Sequence, residues 1–327
     1  MIDAMISGTG SYVPNKRMSN DELAQIVDTS DEWIFSHTGI RARHIAAEHE
    51  AASDLGVEAA KKALEDAGIE PLKIDLVLVA TSTPDYNSYP STACIIQDRL
   101  GCKNAGAMDI TAACTGFVYG LETASSFVAS GRAKHVLLVG TEVNSRILNW
   151  KDRNTCVLFG DAAGAVVVSV SQDKDSRVAD SILRSDGSGE RALLRPAGGS
   201  RKPIETGSKA DDTYVTMDGR KVYLFAVDAL RRTVEELMQR NSLDIEDVDW
   251  IVPHQANVRI IQACANRLGI PQEKFFLNLE EYANTSAASI PLAMDEMRKK
   301  GLLKKGNRII TVGFGAGLTY GGNYIIW

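Results

Sequence analysis

The chain has 327 residues, and its 36 Lys and Arg against 42 Asp and Glu give a formal net charge of −6. This balance argues against nucleic-acid binding through bulk charge. Hydrophobic residues make up 44% and charged residues 24%, which excludes disordered, collagenous and disulfide-scaffold chains. No apolar run reaches the roughly 20 residues that cross a bilayer, and no secretory signal opens the chain. We therefore expect a cytoplasmic protein of about two domains without membrane insertion.

The cysteines predict free thiols in a reducing compartment, because their number is odd and no C-x-x-C pair occurs. The five are Cys94, Cys102, Cys114, Cys156 and Cys264. No P-loop and no metal-ligand spacing is present in the sequence, so no metal site is predicted.

Short β-rich runs alternate along the chain with segments whose apolar residues recur at helical spacing, which predicts an α/β fold with buried strands. The first clear helix runs from Ser53, as its N-cap, to the closing Gly68. Residues 171–220 are rich in Gly, Ser, Asp and Lys, which predicts irregular structure and the junction between two halves, 1–172 and 173–327. The predicted strands are 76–80, 136–140, 165–170, 250–252 and 309–313.

An internal repeat organises the chain. IDLVLVATSTPD resembles VDWIVPHQAN, with Asp75 and Asp249 174 residues apart, and GRAKHVLLVGTE resembles KKGNRIITVGFG at an offset of 175. Between these anchors each half has a loop leading into a helix, at Cys114 and at Asn284. Duplication of one β/α unit would place these two residues at equivalent helix starts about a pseudo-twofold axis. The alternative is a chance parallel between α/β units of low identity.

Cys114, in AACTGF, follows an apolar run and precedes a helical pattern. A thiol at a helix N-terminus faces the positive end of the helix dipole and unpaired N–H groups, which lower its pKa and favour the nucleophilic thiolate. The alternative is a packed core thiol, and this second interpretation is retained for the other four cysteines.

Two further residues are candidates for catalysis. His254, in VPHQAN, follows a short strand, and the carboxyl ends of strands are where α/β sheets bind ligands. Asn284, in NTSAAS, either caps a helix or donates an amide hydrogen bond into a site. The glycine-rich GFGAGLTYGG near the end either only supplies turns or exposes N–H groups that bind an oxyanion.

These motifs, in this order, resemble β-ketoacyl-[acyl-carrier-protein] synthase III of the thiolase superfamily. GTGSYVPN, DTSDEWIFSHTGIRARHIA, SYPSTAC and LFGDAAGAVVV fit the same family, so the resemblance spans nearly the whole chain. It implies a duplicated thiolase-like fold with five α/β/α/β/α layers, a homodimer, and the first condensation of fatty-acid synthesis. It also implies that acyl-CoA and malonyl-acyl carrier protein (malonyl-ACP) are substrates and that no cofactor is needed.

The resemblance implies roles for the candidate catalytic residues. Cys114 would take the acyl group from acyl-CoA, and His254 with Asn284 would hydrogen-bond the malonyl thioester oxygen during loss of CO₂. The N–H groups of Cys114 and Ala316 would form the oxyanion hole, with Phe314 beside the nucleophile. The helix dipole, aided by His254, would supply the thiolate character.

The resemblance also implies binding residues for both substrates. Trp33 and Arg153 would sandwich the adenine of CoA, and Asn257 would contact its pantetheine arm. The carrier-protein contacts would be Arg259 and Arg267, and the acyl pocket would be bounded by Tyr89, contributed across the dimer, and Phe159. Outside this resemblance the arginines would be read as ordinary surface residues.

The sequence departs from the family pattern at four positions. His37 stands where many members carry an arginine, which makes a CoA phosphate contact doubtful or pH-dependent. Leu224 replaces a carrier-protein-contacting lysine. Ala283 and Ala316 replace glycines, and Ala316 keeps its N–H, so the oxyanion role survives if its φ is negative.

Other functions compete with this interpretation. Thiolases use a second cysteine and elongating synthases use Cys-His-His, so Asn284 disfavours both, whereas type III polyketide synthases share Cys-His-Asn in a longer chain. A specialised acyltransferase or polyketide-priming enzyme with another acceptor would retain every motif. From other classes, a silent acyl-CoA-binding homologue and an unrelated cysteine hydrolase remain as alternatives.

Overall fold

The computed structural model describes residues 2–173, 175–204 and 210–327. Thirteen strands occur in this part of the chain: β1 Ala4–Tyr12, β2 Lys16–Ser19, β3 Ala42–Ile45, β4 Leu76–Ala80, β5 Gly106–Ile110, β6 His135–Glu142, β7 Ala162–Val170, β8 Arg177–Ser185, β9 Leu193–Leu194, β10 Thr216–Met217, β11 Trp250–Pro253, β12 Arg308–Gly315 and β13 Thr319–Ile326. Ten α-helices occur there: α1 Asn20–Leu23, α2 Asp31–Thr38, α3 Ala52–Ala67, α4 Thr92–Leu100, α5 Gly116–Ala129, α6 Arg153–Cys156, α7 Gly219–Arg240, α8 Val258–Leu268, α9 Leu279–Tyr282 and α10 Ser289–Lys299.

Two large sheets repeat one topology. The first has the order β1-β7-β6-β4-β5 and the second β8-β13-β12-β11. In the first sheet, β1 pairs antiparallel with β7, and β6 lies between β7 and the parallel strand β4. In the second sheet, β8 pairs antiparallel with β13, and β12 lies between β13 and the parallel strand β11. The chain is therefore a duplicated α/β unit. The division at residues 172 and 173 stays a prediction, and it falls in the connection between β7 and β8.

Three apolar clusters hold five layers of structure together. One lies between α3 with α4 and the outer face of the first sheet. The second lies between the two sheets and contains the apolar residues of α5 and α10. The third lies between the second sheet and α7 with α8. The order of layers is therefore α/β/α/β/α, with α5 and α10 buried at the centre.

Two local predictions need correction. The N-cap of α3 is Ala51, not Ser53, because the N–H and hydroxyl of Ser53 donate to Asp85 at 2.9 and 2.6 Å. The helix does end at Gly68, whose φ of 64° suits glycine. The expectation of irregular structure over 171–220 misses β8, whose nine residues are mostly half-buried and show no apolar alternation. Lys174 and residues 205–209 of this segment lie outside the described residues.

The repeat also corrects the relation between the two catalytic loops. Ala113 and Ser286 begin equivalent 3₁₀ turns, before α5 and α10, and have similar positive φ values of 47° and 50°. They are 173 residues apart, close to the offsets of 174 and 175 between the repeated segments, so the counterpart of Cys114 is Ala287. The equivalence of Cys114 with Asn284 is therefore wrong by three residues, although both precede a central helix.

Glycines in the first sheet let α10 and the turn before it approach the strands. A Cβ on Gly164 of β7 would lie 2.6 Å from the backbone N of Leu292, and one on Gly140 of β6 would lie 2.4 Å from the carbonyl oxygen of Ala287. Backbone cannot yield at such distances without moving the helix. The central helices therefore pack against strand positions that only glycine can occupy.

We expect Gly164→Ala to lower the free energy of unfolding by about 1–3 kcal/mol, because the added methyl group forces α10 away from β7. Denaturant unfolding followed by far-UV circular dichroism measures the change. Gly187→Ala is the control, since a Cβ there meets nothing within 4 Å. Equal stability of the two variants would contradict the packing argument.

Candidate active site

A cavity of about 170 Å³ brings the three predicted catalytic residues together. Cys114 enters it from the turn before α5, His254 from the loop after β11, and Asn284 from the loop before α10. The other predicted site residues in its wall are Phe159, Asn257 and Phe314. Residues up to 201 positions apart in sequence thus line one mostly apolar pocket.

Cys114 is buried, and its surroundings favour the neutral thiol. Burial and, to a lesser extent, the negative charge of Glu142 raise the pKa of Cys114 to about 12, although hydrogen bonding to the Ser286 side chain opposes this rise. The helix-terminus position is as the sequence predicts, but desolvation outweighs the lowering expected there. The resting nucleophile therefore needs a partner that accepts its proton.

Gly315 of β12 lies against Cys114. A Cβ at Gly315 would stand 2.9 Å from both the Cβ and the backbone N of Cys114. The motif GFGAGLTYGG therefore serves, at this glycine, to let a strand of the second half pass directly beside the nucleophile.

We expect Gly315→Ala to slow acylation of Cys114 by about 10–100-fold, because a methyl group displaces the sulfur from its place in the cavity. Intact-protein mass spectrometry after mixing with acetyl-CoA measures the rate. Gly187→Ala serves again as the control with open space around its Cβ. An unchanged acylation rate in a folded Gly315→Ala protein would show that this contact does not position Cys114.

His254 is held in place by backbone and by a serine. Its backbone N–H donates to the carbonyl of Val312 at 2.7 Å, and its ring Nδ1 lies 2.7 Å from the hydroxyl of Ser289. That hydroxyl also donates to the carbonyl of Ser286 at 2.9 Å. Burial lowers the pKa of His254 to about 3, so the imidazole is neutral. Its Nε2 has no hydrogen-bond partner among the described residues and remains for the cavity.

Asn284 is clamped to the segment that carries Phe159. Its N–H donates to the carbonyl of Leu158 at 2.8 Å, and its carbonyl accepts from the N–H of Gly160 at 3.0 Å. The side-chain oxygen accepts from the N–H of Ser286 at 2.9 Å. The N-cap of that turn is Thr285 and that of α10 is Ala288, so the interpretation of Asn284 as a helix cap is wrong. The amide NH₂ has no partner in the described part of the chain, which leaves it to donate into the cavity.

Two of the remaining predicted site residues, Phe314 and Phe159, line the cavity, whereas Ala316 does not. Phe314 packs edge-on against His254 with ring centroids 5.1 Å apart, and Phe159 lines the cavity wall. Ala316 follows the cavity-lining Gly315 but does not itself line the cavity. Ala316 does not adopt a positive φ, so its backbone meets the condition set for an N–H donor. Its oxyanion role stays a prediction.

Three of the four predicted CoA residues, Trp33, His37 and Arg153, cluster outside the cavity. The guanidinium of Arg153 lies 4.7 Å from the centre of a Trp33 ring, and the His37 ring stacks on Trp33 at 4.4 Å. An adenine between Trp33 and Arg153 therefore requires this exposed arginine to swing outward from its bond to the carbonyl of Asp28. The sandwich stays a prediction.

Asn257 joins this cluster to the cavity. Its amide NH₂ donates to the carbonyl of His37 at 3.1 Å, and its side-chain oxygen caps α8 by accepting from the N–H of Arg259 at 2.8 Å. Arg259 and Arg267 lie on α8 and are exposed. Tyr89 is 84% exposed and does not line the cavity of its own chain, as a residue contributed to a second copy would require.

Sequence reasoning missed several residues of the site. Leu193, Met217 and Tyr223 form one cavity wall, although they come from the segment read as irregular or from its edge. Ser286 and Ser289 are also not singled out from the sequence, yet their side chains interact with Cys114 and His254. The signal that could have found these serines is their place beside the Asn284 loop. No cluster of three or more metal-ligating side chains occurs among the described residues.

Comparison with known proteins decides the family. Residues 108–187 match the model of 3-oxoacyl-[acyl-carrier-protein (ACP)] synthase III, and residues 238–327 match the model of its C-terminal part. A β-ketoacyl-[acyl-carrier-protein] synthase III of Clostridium acetobutylicum is 50% identical over 323 residues, 98% of each chain. The chain belongs to the β-ketoacyl-[acyl-carrier-protein] synthase III family.

Solved structures agree with this family and its thiolase-like fold. The 3-oxoacyl-[acyl-carrier-protein] synthase III of Aquifex aeolicus is 44% identical, has a TM-score of 0.91, and covers 99% of this chain and 100% of its own. The priming β-ketosynthase of the R1128 polyketide pathway is 35% identical with a TM-score of 0.91, covering 99% of this chain and 96% of its own. The predicted fold class and family are both confirmed.

Proposed function

We propose that this synthase III family member condenses an acyl-CoA primer with malonyl-ACP to give 3-oxoacyl-ACP and CO₂, the first condensation of fatty-acid synthesis. The observation that carries the proposal is the single buried cavity in which Cys114, His254 and Asn284 meet. The family relation supplies the substrates, and the geometry supplies a nucleophile and two hydrogen-bonding groups. The enzyme is then an acyltransferase of the condensing type.

In the first half-reaction Cys114 attacks the thioester carbon of acyl-CoA. Because burial keeps the thiol protonated, its proton must leave as the carbon–sulfur bond forms. The neutral His254 accepts that proton on Nε2 while its Nδ1–H donates to Ser289, and passes it to the departing CoA sulfur. CoA leaves as a thiol, and the acyl group stays on Cys114.

In the second half-reaction malonyl-ACP enters the same cavity. The amide of Asn284 and Nε2–H of His254 donate to the thioester oxygen, so that loss of CO₂ leaves a stabilised enolate. For this step the imidazole takes up a proton on Nε2 and releases the proton on Nδ1. The Ser289 hydroxyl then turns from the carbonyl of Ser286 and donates to Nδ1, which it reaches at 2.7 Å. The enolate carbon attacks the acyl group, and the Cys114 thiolate leaves and takes up one proton.

The two substrates supply every atom and electron of this reaction. Loss of the malonyl carboxylate consumes one proton, and no net oxidation or reduction occurs. We therefore propose that the enzyme needs no cofactor. The five cysteines are free, as expected in a reducing compartment, which supports a cytoplasmic location. No helix in the described part of the chain is long and apolar enough to span a bilayer.

The deciding experiment combines intact-protein mass spectrometry with a product assay. The protein is incubated with short, branched and long acyl-CoAs, then with malonyl-ACP. We expect an acyl mass increment on Cys114 that malonyl-ACP discharges as 3-oxoacyl-ACP, and the best increment identifies the primer. Release of free acid would instead indicate a hydrolase, and the absence of any increment would indicate a silent binder.

A second candidate function is acyl transfer in a specialised pathway. It is favoured by the likeness to a priming β-ketosynthase of a polyketide pathway. This structure matches the chain with the same TM-score, 0.91, as the synthase III of Aquifex aeolicus, and its sequence identity to the chain is 35% against 44%. Acyl-Cys114 that malonyl-ACP fails to discharge, but another acceptor does, would favour this alternative.

The acyl carrier protein is the proposed partner of α8. Carrier proteins are acidic, so docking on this acidic enzyme needs a local basic surface. Arg259 and Arg267 lie on α8 and are exposed, and the Nε–H of Arg259 donates to the carbonyl of Ser36 at 3.1 Å. Leu224, which departs from the family lysine, is 55% exposed and supplies no charge.

The open edge of the first sheet supports a homodimer. Strand β5 pairs only with β4 in the described chain, and its Met108 is 39% exposed. An unpaired edge strand is a template for pairing with a second copy. Pairing there would also cover the loop after β4, which carries Tyr89.

We expect Met108→Lys to weaken this dimer by at least about tenfold, because a charge on an edge strand opposes pairing. Sedimentation velocity over a dilution series measures the change in association. Ile2→Lys, an exposed apolar residue beside the opposite edge strand β1, is the control. A parent protein that sediments as a monomer would contradict the proposed homodimer.

A further inference from the structure

Ser286 lies between the nucleophile and a buried carboxylate. Its hydroxyl donates to Oε1 of Glu142 at 2.9 Å. The turn that carries Ser286 packs against the turn that carries Cys114, and hydrogen bonding to the Ser286 side chain lowers the pKa of Cys114. The residue is 4% exposed and adopts a φ of 50°, which L-residues rarely do. A hydroxyl has one proton and two acceptor positions. Ser286 can therefore donate to Glu142 or to the sulfur, but not to both at once.

Glu142 ends β6 and is completely buried. The N–H of Ser82 reaches both of its oxygens at 3.1 Å, the hydroxyl of Thr83 donates at 2.6 Å, and the N–H of Ala287 also donates to it. Burial raises the pKa of Glu142, and these donors oppose that rise. Because it keeps these donors, the carboxylate stays satisfied when the hydroxyl of Ser286 turns away.

We propose that Ser286 is a catalytic residue whose hydroxyl turns from Glu142 to Cys114 whenever the sulfur carries negative charge. The proposal rests on the proposed function, in which Cys114 forms and releases a thioester. Negative charge develops on the sulfur twice: as its proton leaves during attack on the primer, and as the carbon–sulfur bond breaks at the end of condensation. In both steps Ser286 reorients about its Cβ–Oγ bond and transfers no proton. Glu142 is a positioning residue, since it holds the hydroxyl at rest.

The arrangement predicts that Ser286 and Glu142 have opposite effects on the pKa of Cys114. The hydroxyl stabilises the thiolate, whereas the charge of Glu142 destabilises it. The other titratable side chains that face Cys114 in the described structure are His254, from the end of β11, and Tyr223, from α7, which line the same cavity. Neither changes in the variants used below.

The test is the pH dependence of Cys114 alkylation by iodoacetamide, in the full-length protein, with peptide mapping to separate Cys114 from the other thiols. We expect Ser286→Ala to move the alkylation midpoint to higher pH and to slow the reaction at pH 9 about tenfold. We expect Glu142→Gln to move the midpoint to lower pH and to speed the reaction about threefold or more. Acyl transfer from acetyl-CoA should slow with Ser286→Ala in the same proportion as alkylation.

The matched control is Thr285→Val, which removes a neighbouring buried hydroxyl that has no hydrogen-bond partner among the described residues. It should leave the alkylation profile unchanged. If Ser286→Ala does not fold, Ser286→Gly removes the same hydroxyl and suits the positive φ.

Two results would overturn the proposal. One is an alkylation profile of Ser286→Ala or Ser286→Gly that matches the parent within twofold at every pH. The other is a shift in the same direction for the Ser286 and Glu142 variants, which a purely structural role would produce. Alkylation requires neither acyl-CoA nor malonyl-ACP, so a failure of the proposed function leaves this test intact.

Discussion

Cys114→Ser is expected to reduce formation of the acyl-enzyme by at least about 10³-fold. The serine hydroxyl is far less acidic than a thiol, and the cavity already disfavours charge, since burial raises the pKa of Cys114 itself to about 12. The expected result is therefore loss of the acyl mass increment after incubation with the acyl-CoA that the parent protein accepts best. The measurement is intact-protein mass spectrometry at several times of incubation.

Cys94→Ser is the matched control, because Cys94 is the exposed cysteine on α4, away from the cavity. It should acylate at the parent rate. An acyl group that still appears in Cys114→Ser, on another residue and at the parent rate, would remove Cys114 from its role. Circular dichroism establishes that both variants are folded, so that a loss of labelling reports chemistry.

His254→Ala is expected to separate the two half-reactions. Loss of the imidazole removes one of the two donors to the malonyl thioester oxygen, and such donors contribute about 10²–10³-fold each. Decarboxylation of malonyl-ACP should fall by that factor, whereas acylation of Cys114 should fall less, because water can accept the thiol proton in the place of the imidazole. Release of CO₂ from carboxyl-labelled malonyl-ACP measures the first, and the acyl mass increment measures the second.

His49→Ala is the control for this change, since His49 is exposed and lies outside the cavity wall. Parent-rate decarboxylation by His254→Ala would show that the enolate is stabilised elsewhere. Equal loss of both half-reactions would instead assign to His254 mainly the removal of the Cys114 proton. The two outcomes differ in which assay responds, so the experiment distinguishes the donor role from the base role.

The sequence by itself determined the architecture and the identity of the three residues that meet. Buried parallel strands read as apolar runs, so β4 and β11 were predicted almost residue for residue. The offsets of 174 and 175 between repeated segments established the duplication, and the two sheets have the same order. Cys114, His254 and Asn284 each lie in a loop next to a predicted strand or helix, and loops at such positions gather at one end of an α/β sheet.

The tertiary structure alone decided the charge state and the support of the site. A helix N-terminus predicts a lowered pKa for Cys114. Its burial depends on which segments close the cavity around the thiol, and these include Leu193, Met217 and Tyr223 as well as β12. The N-cap of α3 is Ala51 and not the predicted Ser53, because the Ser53 hydroxyl donates to a carboxylate 32 residues away. Ser286 and Glu142 contact each other across 144 residues. Local patterns specify local structure, whereas desolvation and hydrogen bonds between distant segments exist only once the chain has packed.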